Sequence, residues 1–304
     1  MPTSDDPRGY TPDAFTVAQA RERGIPRGRL RGARYTSPFH GVRVDGAIEA
    51  DSVHSSALAL LPRLGEGQFF SHETALLEHG APMPEWPYRP GIHVSAYRPA
   101  REPRTRGVTG HRLQLRRAAF TVVHELPIED PVRAWRQVGR LWEFGDLVAA
   151  ADFLVSGSAP LATADGLRHE IVTMGDVRGG ILIRALREVR FGVRSARETR
   201  LRLLLKDAGL PEPEVAWNLF DDRGTFVAEC DLAYPRYRVA LEYDGRVHAE
   251  NAAQFARDAD RWAAIRRIGW SHDRVLSHHM DNGGAAAVAI AREALRKAGW
   301  TPGR

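Results

Sequence analysis

Three acidic residues near the end of the chain have the type and spacing of a metal-dependent hydrolytic site. Glu242 and Asp244 are two positions apart, so on a β-strand both side chains lie on one face. Asp231 precedes Glu242 by ten intervening residues, and the segment Ala-Tyr-Pro-Arg between them predicts a turn. Two antiparallel strands joined there would bring the three carboxylates within reach of one another.

The apolar residues before this pair of acids set the chemistry that we expect. Val239, Ala240 and Leu241 predict a buried strand, and carboxylates at the end of a buried strand are costly unless they bind something. Mg²⁺ prefers oxygen ligands and is typically held by one or two carboxylates plus substrate phosphate. Such an ion activates water and stabilises charge on a phosphate group. A solvated strand face is the alternative explanation for alternating acids.

The elements that must position these acids begin near Val193 and continue to about Trp300. Hydrophobic periodicity and turn residues predict the order helix, strand, strand, strand, helix, strand, helix. Ser195 and Glu198 open the first helix with the spacing of a capping box, which by itself explains the presence of Glu198.

The stretch from Ser195 to about Ser277 resembles the PD-(D/E)XK nuclease superfamily, and within it the branch related to very-short-patch-repair endonucleases. The resemblance rests on an early helix with a glutamate, an aspartate on the second strand, an E-x-D-G-x-x-H segment, a later Asp-Arg pair and Gly269-Trp270. It implies a C-terminal α/β restriction-endonuclease-like domain with a mixed sheet flanked by helices. The catalytic residues that it implies are Glu198, Asp231, Glu242, Asp244 and His248.

Within this resemblance, Asp231, Glu242 and Asp244 are the expected ligands of Mg²⁺ or Mn²⁺. Asp244 stands where the wider superfamily has a lysine, which leaves open the residue that handles the proton. His248 is our candidate for orienting or deprotonating water, or for protonating the leaving oxygen; a surface histidine is the alternative. Arg257 or Arg261 could steady a phosphate, and each could equally be a surface charge of its helix.

The N-terminal segment predicts a small DNA-binding unit. Thr16 can cap a helix that ends near Gly24, and Arg27–Ala33 predicts a second helix followed by a strand pair up to Val44. A helix, a turn and a basic helix place one helix in the major groove; an ordinary solvated basic face is the alternative. The expected nucleic-acid-binding residues of this second helix are Arg27, Arg29, Arg31 and Arg34.

This segment also resembles a known family. The sequence from Phe15 to Val44, together with the helical stretch Ser71–Ala75, is similar to the N-terminal regions of abortive-infection type IV antitoxins. Those regions are winged-helix DNA binders, so the resemblance supports the prediction of a helix-turn-helix.

The middle of the chain predicts a mixture of helices and strands. Residues 48–80 have helical patterns, residues 108–124 alternate like strands, and residues 129–190 have the apolar faces of core helices. His72 and Glu73 could suggest a catalytic site, but a Ser71 cap with a polar first turn explains them at less cost. We therefore do not predict them as site residues.

Composition adds further constraints. The 304 residues carry a net charge of +5, and lysine occurs only at Lys206 and Lys297, so nearly all the positive charge is arginine. Arginine suits phosphate and base recognition, although a GC-rich genome produces the same bias. A single cysteine, Cys230, in an apolar stretch predicts a buried, inert thiol. The absence of a long apolar run and of a basic, apolar N-terminus predicts a cytoplasmic protein with no membrane association.

Together these patterns predict a multidomain α+β protein. Residues 1–46 would form a winged-helix-like DNA-binding region, residues 47–192 a helical and mixed α/β middle segment, and residues 193–304 the nuclease-like domain. We expect an Mg²⁺-dependent DNA endonuclease, with a role in phage defence or DNA repair and with RNA as an alternative substrate. One site per chain would favour a homodimer for cutting both strands. The other hypothesis is a non-catalytic DNA-binding regulator, antitoxin-like, with a retired nuclease fold.

Overall fold

The computed structural model describes residues 13–46, 52–85, 87–114, 116–117, 119–244 and 252–303, and for residues 252–258 it describes only the backbone. The chain divides into two compact units. Unit 1 comprises Met1–Trp142 and Gly166–Leu182, and unit 2 comprises Glu143–Asp165 and Ile183–Arg304. The fold is a mixture of helices with three β-sheets. The three-domain division expected from the sequence stays a prediction.

The N-terminal part of unit 1 is a small antiparallel sheet with one helix. Its elements are β1 (Ala14–Thr16), α1 (Val17–Glu22), β2 (Tyr35–Thr36) and β3 (Val42–Asp45), and the strand order is β1-β3-β2. The Thr16 side chain accepts a hydrogen bond from the Gln19 N–H in a capping box, which confirms the predicted helix start. The predicted strand pair is present as β2 and β3.

The second, basic helix predicted at Arg27–Ala33 is wrong. A three-residue 3-10 helix, Arg29–Arg31, takes its place, and Leu30 is its buried residue. Gly28 and Gly32 flank this turn, and glycine costs about 1 kcal/mol relative to alanine in a helix. With two glycines and a single apolar anchor, the segment cannot sustain a longer amphipathic helix.

The larger sheet of unit 1 has five strands in the order β6-β5-β4-β8-β7. Helices precede it, interrupt it and follow it in the sequence. The elements are α2 (Val53–Leu60), β4 (Gln68–Phe70), α3 (His72–Glu78), β5 (Ile92–Tyr97), β6 (Val108–Leu113), β7 (Phe120–Val123), β8 (Leu126–Glu129) and α4 (Pro131–Val138). The helical patterns expected over residues 48–80 are present as α2 and α3, but strand β4 lies between them, because Phe69 and Phe70 pair with β5 and are fully buried.

Unit 2 contains a four-stranded mixed sheet between helices. Its first helix is α5 (Phe144–Val155). The next helix along the chain, α6 (Ala164–Met174), belongs mainly to unit 1, and α7 (Ile181–Glu188) belongs mainly to unit 2. The remaining elements are α8 (Ala196–Asp207), β9 (Glu214–Phe220), β10 (Phe226–Tyr234), β11 (Val239–Asp244), α9 (Ala252–Arg267), β12 (Ser271–Leu276) and α10 (Ala285–Lys297). Strand order is β12-β11-β10-β9, with β12 parallel to β11 and the other pairs antiparallel.

Apolar packing explains why helices cover both faces of this sheet. Val239 and Leu241 of β11 pack with α8 and α10, whereas Ala240 packs with Ile265 of α9. Because side chains alternate along a strand, α9 lies on the face opposite to α8 and α10. Glu242 and Asp244 continue the Ala240 series and therefore lie on the α9 face. No helix within the described ranges is long and apolar enough to cross a lipid bilayer.

Unit 1 also contains a buried carboxyl at the end of β8. Glu129 is fully buried, its Oε1 lies 3.5 Å from the Tyr97 hydroxyl, and its Oε2 has no hydrogen-bond partner among the described residues. Burial raises the pKa of Glu129 from 4.5 to about 8, so the carboxyl is protonated in the folded protein at neutral pH.

This shift predicts that part of the stability of unit 1 is lost as the pH rises. Between pH 4.5 and about 8 the folded state keeps a proton that the unfolded state releases, so stability falls by at most about 1.4 kcal/mol per pH unit. Glu129→Gln should remove this contribution and raise the free energy of unfolding near pH 8. Urea unfolding across this pH range measures it, with the exposed Glu125→Gln as control. An unchanged pH dependence in Glu129→Gln would contradict the assignment.

Candidate active site

The four carboxylates of the predicted catalytic set that the structure describes line one polar cavity in unit 2. The cavity has a volume of about 280 Å³. Glu198 comes from α8, Asp231 from β10, and Glu242 and Asp244 from β11, with Arg261 from α9 beside them. Predicted residue His248 and the side chain of predicted Arg257 lie outside the described residues.

Asp231 is held where the strand ladder between β10 and β11 stops. The last paired residues are Leu232 and Leu241, and beyond them the Asp231 carboxylate accepts a hydrogen bond of 3.0 Å from the Tyr243 N–H. Burial, together with the negative charges of Glu198 and Glu242, raises the pKa of Asp231 to about 6. Burial and the two neighbouring negative charges therefore disfavour the charged form of the Asp231 carboxyl.

Glu242 is buried and surrounded by cationic and polar partners. Its Oε1 lies 2.6 Å from an Arg261 nitrogen, and its Oε2 lies 3.0 Å from His272 Nε2 and accepts a 3.2 Å hydrogen bond from Trp262 Nε1. Burial acts to raise the pKa of Glu242, but His272, Arg261 and Trp262 outweigh it and hold the pKa below its ordinary value. Glu242 is thus ionised, unlike a buried carboxyl without partners.

Asp244 is paired with a neighbouring strand. The Arg274 guanidinium forms an ion pair with the Asp244 carboxylate and lies 4.4 Å from the ring centroid of Trp262. The ion pair joins β11 to β12, and the stacking joins β12 to α9. Asp244 therefore contributes to the connection between elements as well as to the lining of the cavity.

Glu198 performs the capping role predicted for it and also borders the cavity. Ser195 Oγ accepts from the Glu198 N–H at 3.2 Å and donates to Glu198 Oε1 at 2.9 Å. The reciprocal bond comes from the Arg194 N–H, at 3.0 Å, rather than from Ser195. The capping interactions direct the Glu198 carboxylate towards Asp231, whose pKa it raises.

Three residues around the acids were missed by sequence reasoning: Trp262, His272 and Arg274. His272 and Arg274 reach the site because β12 pairs in parallel with β11, which places Ala240 beside His272 and Glu242 beside Arg274. This register joins residues that are distant in sequence, and nothing local predicts it. Trp262 follows Arg261 directly, so the Asp-Arg pair on the predicted helix was the available signal.

Two of the cavity acids, Glu242 and Asp244, are directed at cations. Among the described residues, the groups whose metal-ligand atoms all lie within 4.8 Å of one another are His72-His93-His111 and His54-Glu78-His124, both in unit 1. Cavity carboxylates belong to neither group. In this conformation Glu242 forms an ion pair with Arg261, and Asp244 forms one with Arg274.

A second, wider cavity of about 860 Å³ adjoins the acidic one in unit 2. Arg194 lines both cavities and forms an ion pair with Glu229. Phe191 and Leu161 line the wider cavity with exposed side chains, 68% and 44% accessible.

The four arginines predicted to bind DNA are all exposed. Arg27 lies in a turn before the short 3-10 helix, Arg29 and Arg31 lie within that helix, and Arg34 follows it. Arg34 is paired with Asp45 of β3, which leaves it less suited to a phosphate contact.

Comparisons with known proteins give limited information about function. The chain is 35% identical over 77 residues to two proteins of Mycobacterium tuberculosis, one from strain H37Rv and one from strain CDC 1551, and both carry the name "uncharacterized protein". The similarity covers 25% of this chain and 28% of each relative. No family model matches the chain, and no solved structure matches it.

The electrostatics of the cavity predict a measurable coupling between two carboxylates. Removing the negative charge of Glu198 should lower the pKa of Asp231 from about 6 towards its ordinary value of 3.8. Carbon-13 NMR titration of the aspartate carboxyls in chelator-treated protein measures this change in Glu198→Gln. The exposed Glu214→Gln on β9 is the matched control. An unchanged Asp231 titration in Glu198→Gln would show that the two groups do not interact.

Proposed function

We propose that unit 2 is a restriction-endonuclease-like nuclease that hydrolyses phosphodiester bonds in DNA with bound Mg²⁺ or Mn²⁺. The observation that carries the proposal is the convergence of Glu198, Asp231, Glu242 and Asp244 on one polar cavity. A helix and a hairpin provide them, and a second helix and a parallel strand follow, in the order that the resemblance to PD-(D/E)XK nucleases implies. Surface arginines and the wider cavity beside Arg194 offer contacts for a nucleic acid strand.

The donor chemistry of the cavity fits a hard divalent cation. Asp231 and Glu242 offer carboxylate oxygens on neighbouring strands, and Asp244 offers a third. Burial and the negative charges of Glu198 and Glu242 raise the pKa of Asp231, and a bound cation would favour its ionised form. When bound, the metal supplies activation of water and stabilisation of charge on the phosphate.

The residues of the chain itself would handle the substrate and the ligands. Arg261 is already within reach of Glu242, so an incoming phosphate can compete for its guanidinium and free the carboxylate. Trp262 and His272 would keep Glu242 oriented during that exchange. A proton-transfer role for His248 stays a prediction.

One observation favours the alternative of a non-catalytic DNA-binding protein. Arg261, His272 and Arg274 already neutralise Glu242 and Asp244, as they would in a site that no longer binds metal. In that case the same ion pairs would serve stability, and the exposed arginines near the N-terminus would carry DNA binding. The two hypotheses differ in whether any nucleic acid is cut.

Cleavage assays with site variants test the nuclease directly. Asp231→Asn and Glu242→Gln should reduce Mg²⁺- or Mn²⁺-dependent cleavage by more than the roughly 10–100-fold that loss of an outer-shell partner costs. The matched control is Glu214→Gln on the exposed edge strand β9. Supercoiled plasmid, linear duplex, single-stranded DNA and RNA should each be tested, with and without a chelator.

Two results would contradict the nuclease. The first is a purified, folded Glu242→Gln protein that cuts as fast as the unmodified chain. The second is the absence of cleavage of every substrate with either metal. In the second case, tight duplex binding would support the non-catalytic alternative.

Binding of duplex DNA by the N-terminal segment has its own test. Arg29→Ala and Arg31→Ala should weaken binding to unrelated duplex sequences by a similar factor, because phosphate contacts carry no base specificity. The slope of log affinity against log salt concentration should fall by about one for each lost phosphate contact. Arg34→Ala, which removes the partner of Asp45, is the comparison variant. Equal affinity and salt slope in Arg29→Ala and Arg31→Ala would exclude these residues.

A further inference from the structure

Three histidines meet on one side of the larger sheet in unit 1. In the parallel pairing of β5 with β6, Ser95 is the partner of His111, and His93 lies two positions before Ser95. Because residues two apart share a face, His93 and His111 lie on the same face. The N–H of Ser71 donates to the carbonyl of His93 at 3.1 Å, which places the following residue, His72, beside them.

The imidazole nitrogens of this cluster converge. His93 Nδ1 lies 2.8 Å from His111 Nε2, and the rings of His72 and His111 stack with centroids 3.7 Å apart. One ligand atom from each of the three lies within 4.8 Å of the other two. His72 Nδ1 is bonded to Ser71 Oγ at 2.9 Å, which leaves Nε2 as its ligand atom.

The three rings are largely shielded from solvent. His72 and His93 are buried and His111 is half-buried. A neutral imidazole carries the lone pair that a transition metal binds.

A buried carboxylate completes the arrangement behind the rings. His93 Nε2 lies 3.4 Å from Glu73 Oε1, on the side of the ring away from His111. Glu73 is itself fixed by the Tyr88 hydroxyl, the Gly91 N–H and Trp142 Nε1. Metal-binding histidines typically direct their second nitrogen at such a carboxylate, which sets the tautomer and the orientation of the ring.

The backbone also holds His72 in an unusual conformation. Its φ of +53° lies in the left-handed region, which residues other than glycine seldom occupy. Its N–H is bonded to Gln137 Oε1 at 3.2 Å, and Ser71 Oγ accepts from Ser95 Oγ at 2.6 Å instead of capping α3. The expectation that a Ser71 cap accounts for His72 and Glu73 is therefore wrong.

We propose that His72, His93 and His111 bind a divalent transition-metal ion such as Zn²⁺ through three imidazole nitrogens. Three histidines with a further position for water or another ligand form a recognised zinc arrangement. The ligands are nitrogen rather than oxygen, so this centre differs in chemistry from the Mg²⁺ site proposed in unit 2. The proposal rests on different residues and does not depend on nuclease activity.

The neighbouring group His54-Glu78-His124 is the main competitor for a metal in unit 1. There both Nδ1 atoms face the same carboxylate, with His54 Nδ1 3.0 Å and His124 Nδ1 3.1 Å from Glu78 Oε2. Direct hydrogen bonds from two imidazoles to one carboxylate explain that geometry fully. In the first cluster a hydrogen bond links His93 Nδ1 to His111 Nε2, and a metal ion bound there would displace the shared proton.

Metal titration of the full-length, chelator-treated protein tests the proposal. Calorimetry with ZnCl₂ should give one bound ion per chain, and His93→Ala and His111→Ala should each weaken binding by at least about 10-fold. His124→Ala in the competing group, the exposed His40→Ala, and the exposed Glu214→Gln in unit 2 should each leave the affinity unchanged. Far-ultraviolet circular dichroism establishes that each variant is folded.

A spectroscopic variant keeps the test decisive if an alanine variant unfolds. His111 is the half-buried member of the cluster, and a cysteine thiolate also binds Zn²⁺, so His111→Cys should retain a ligand at that position. Its Co²⁺ complex should gain a sulfur-to-metal charge-transfer band that the unmodified protein lacks. The proposal is overturned by an absence of Zn²⁺ binding, by folded His93→Ala and His111→Ala proteins that bind normally, by loss of binding in His124→Ala instead, or by the absence of the new band.

Discussion

The candidate site in unit 2 depends on the point at which β10 and β11 stop pairing. Their pairing ends at Leu232 and Leu241, and two residues further along β11 the Tyr243 N–H donates a hydrogen bond to the Asp231 carboxylate. A backbone donor that would otherwise be unpaired is thereby satisfied, and the Asp231 carboxylate is fixed at the edge of the cavity. The neighbouring Glu242 follows on the face covered by α9. The position of both acids is thus set by the backbone of one hairpin.

Electrostatic balance then distinguishes acids that are equivalent in type. Glu242 is buried, yet its pKa is held low because Arg261, His272 and Trp262 stabilise the charged form. Burial and the negative charges of Glu198 and Glu242 outweigh the Tyr243 N–H and Arg261 at Asp231, so the pKa of Asp231 is raised to about 6. One cavity therefore holds an ionised carboxylate, that of Glu242, and a second carboxylate, that of Asp231, whose charged form is disfavoured.

In unit 1, several polar side chains are buried beside the larger sheet. Glu73 accepts from three donors and lies near His93, so its charge is well compensated. Glu129, by contrast, has an oxygen without a partner among the described residues and is protonated at neutral pH. Buried polar groups usually find partners, and the imidazoles of the proposed metal site find theirs in Ser71, Glu73 and one another.

The sequence by itself determined the local features. Hydrophobic periodicity predicted the order of helices and strands from α8 to α10, and the turn residues predicted the hairpin. The spacing of Ser195 and Glu198 predicted the cap of α8. Cys230 was predicted to be buried, and burial raises the pKa of its thiol to about 12. These predictions succeed because they depend on residues close together in the chain. The helix predicted at Arg27–Ala33 is replaced by a short 3-10 helix, because the two flanking glycines disfavour a longer helix.

Only the tertiary structure decided which residues surround the acids. Parallel pairing of β12 with β11 places His272 and Arg274 beside the carboxylates, and it joins segments separated by all of α9. The histidine cluster likewise combines a residue after β4 with residues on β5 and β6, so His72, His93 and His111 had no recognisable spacing. Such contacts are set by sheet register and by packing over long sequence distances. A local pattern can propose a carboxylate as a ligand, but the partners that set its charge come from the fold.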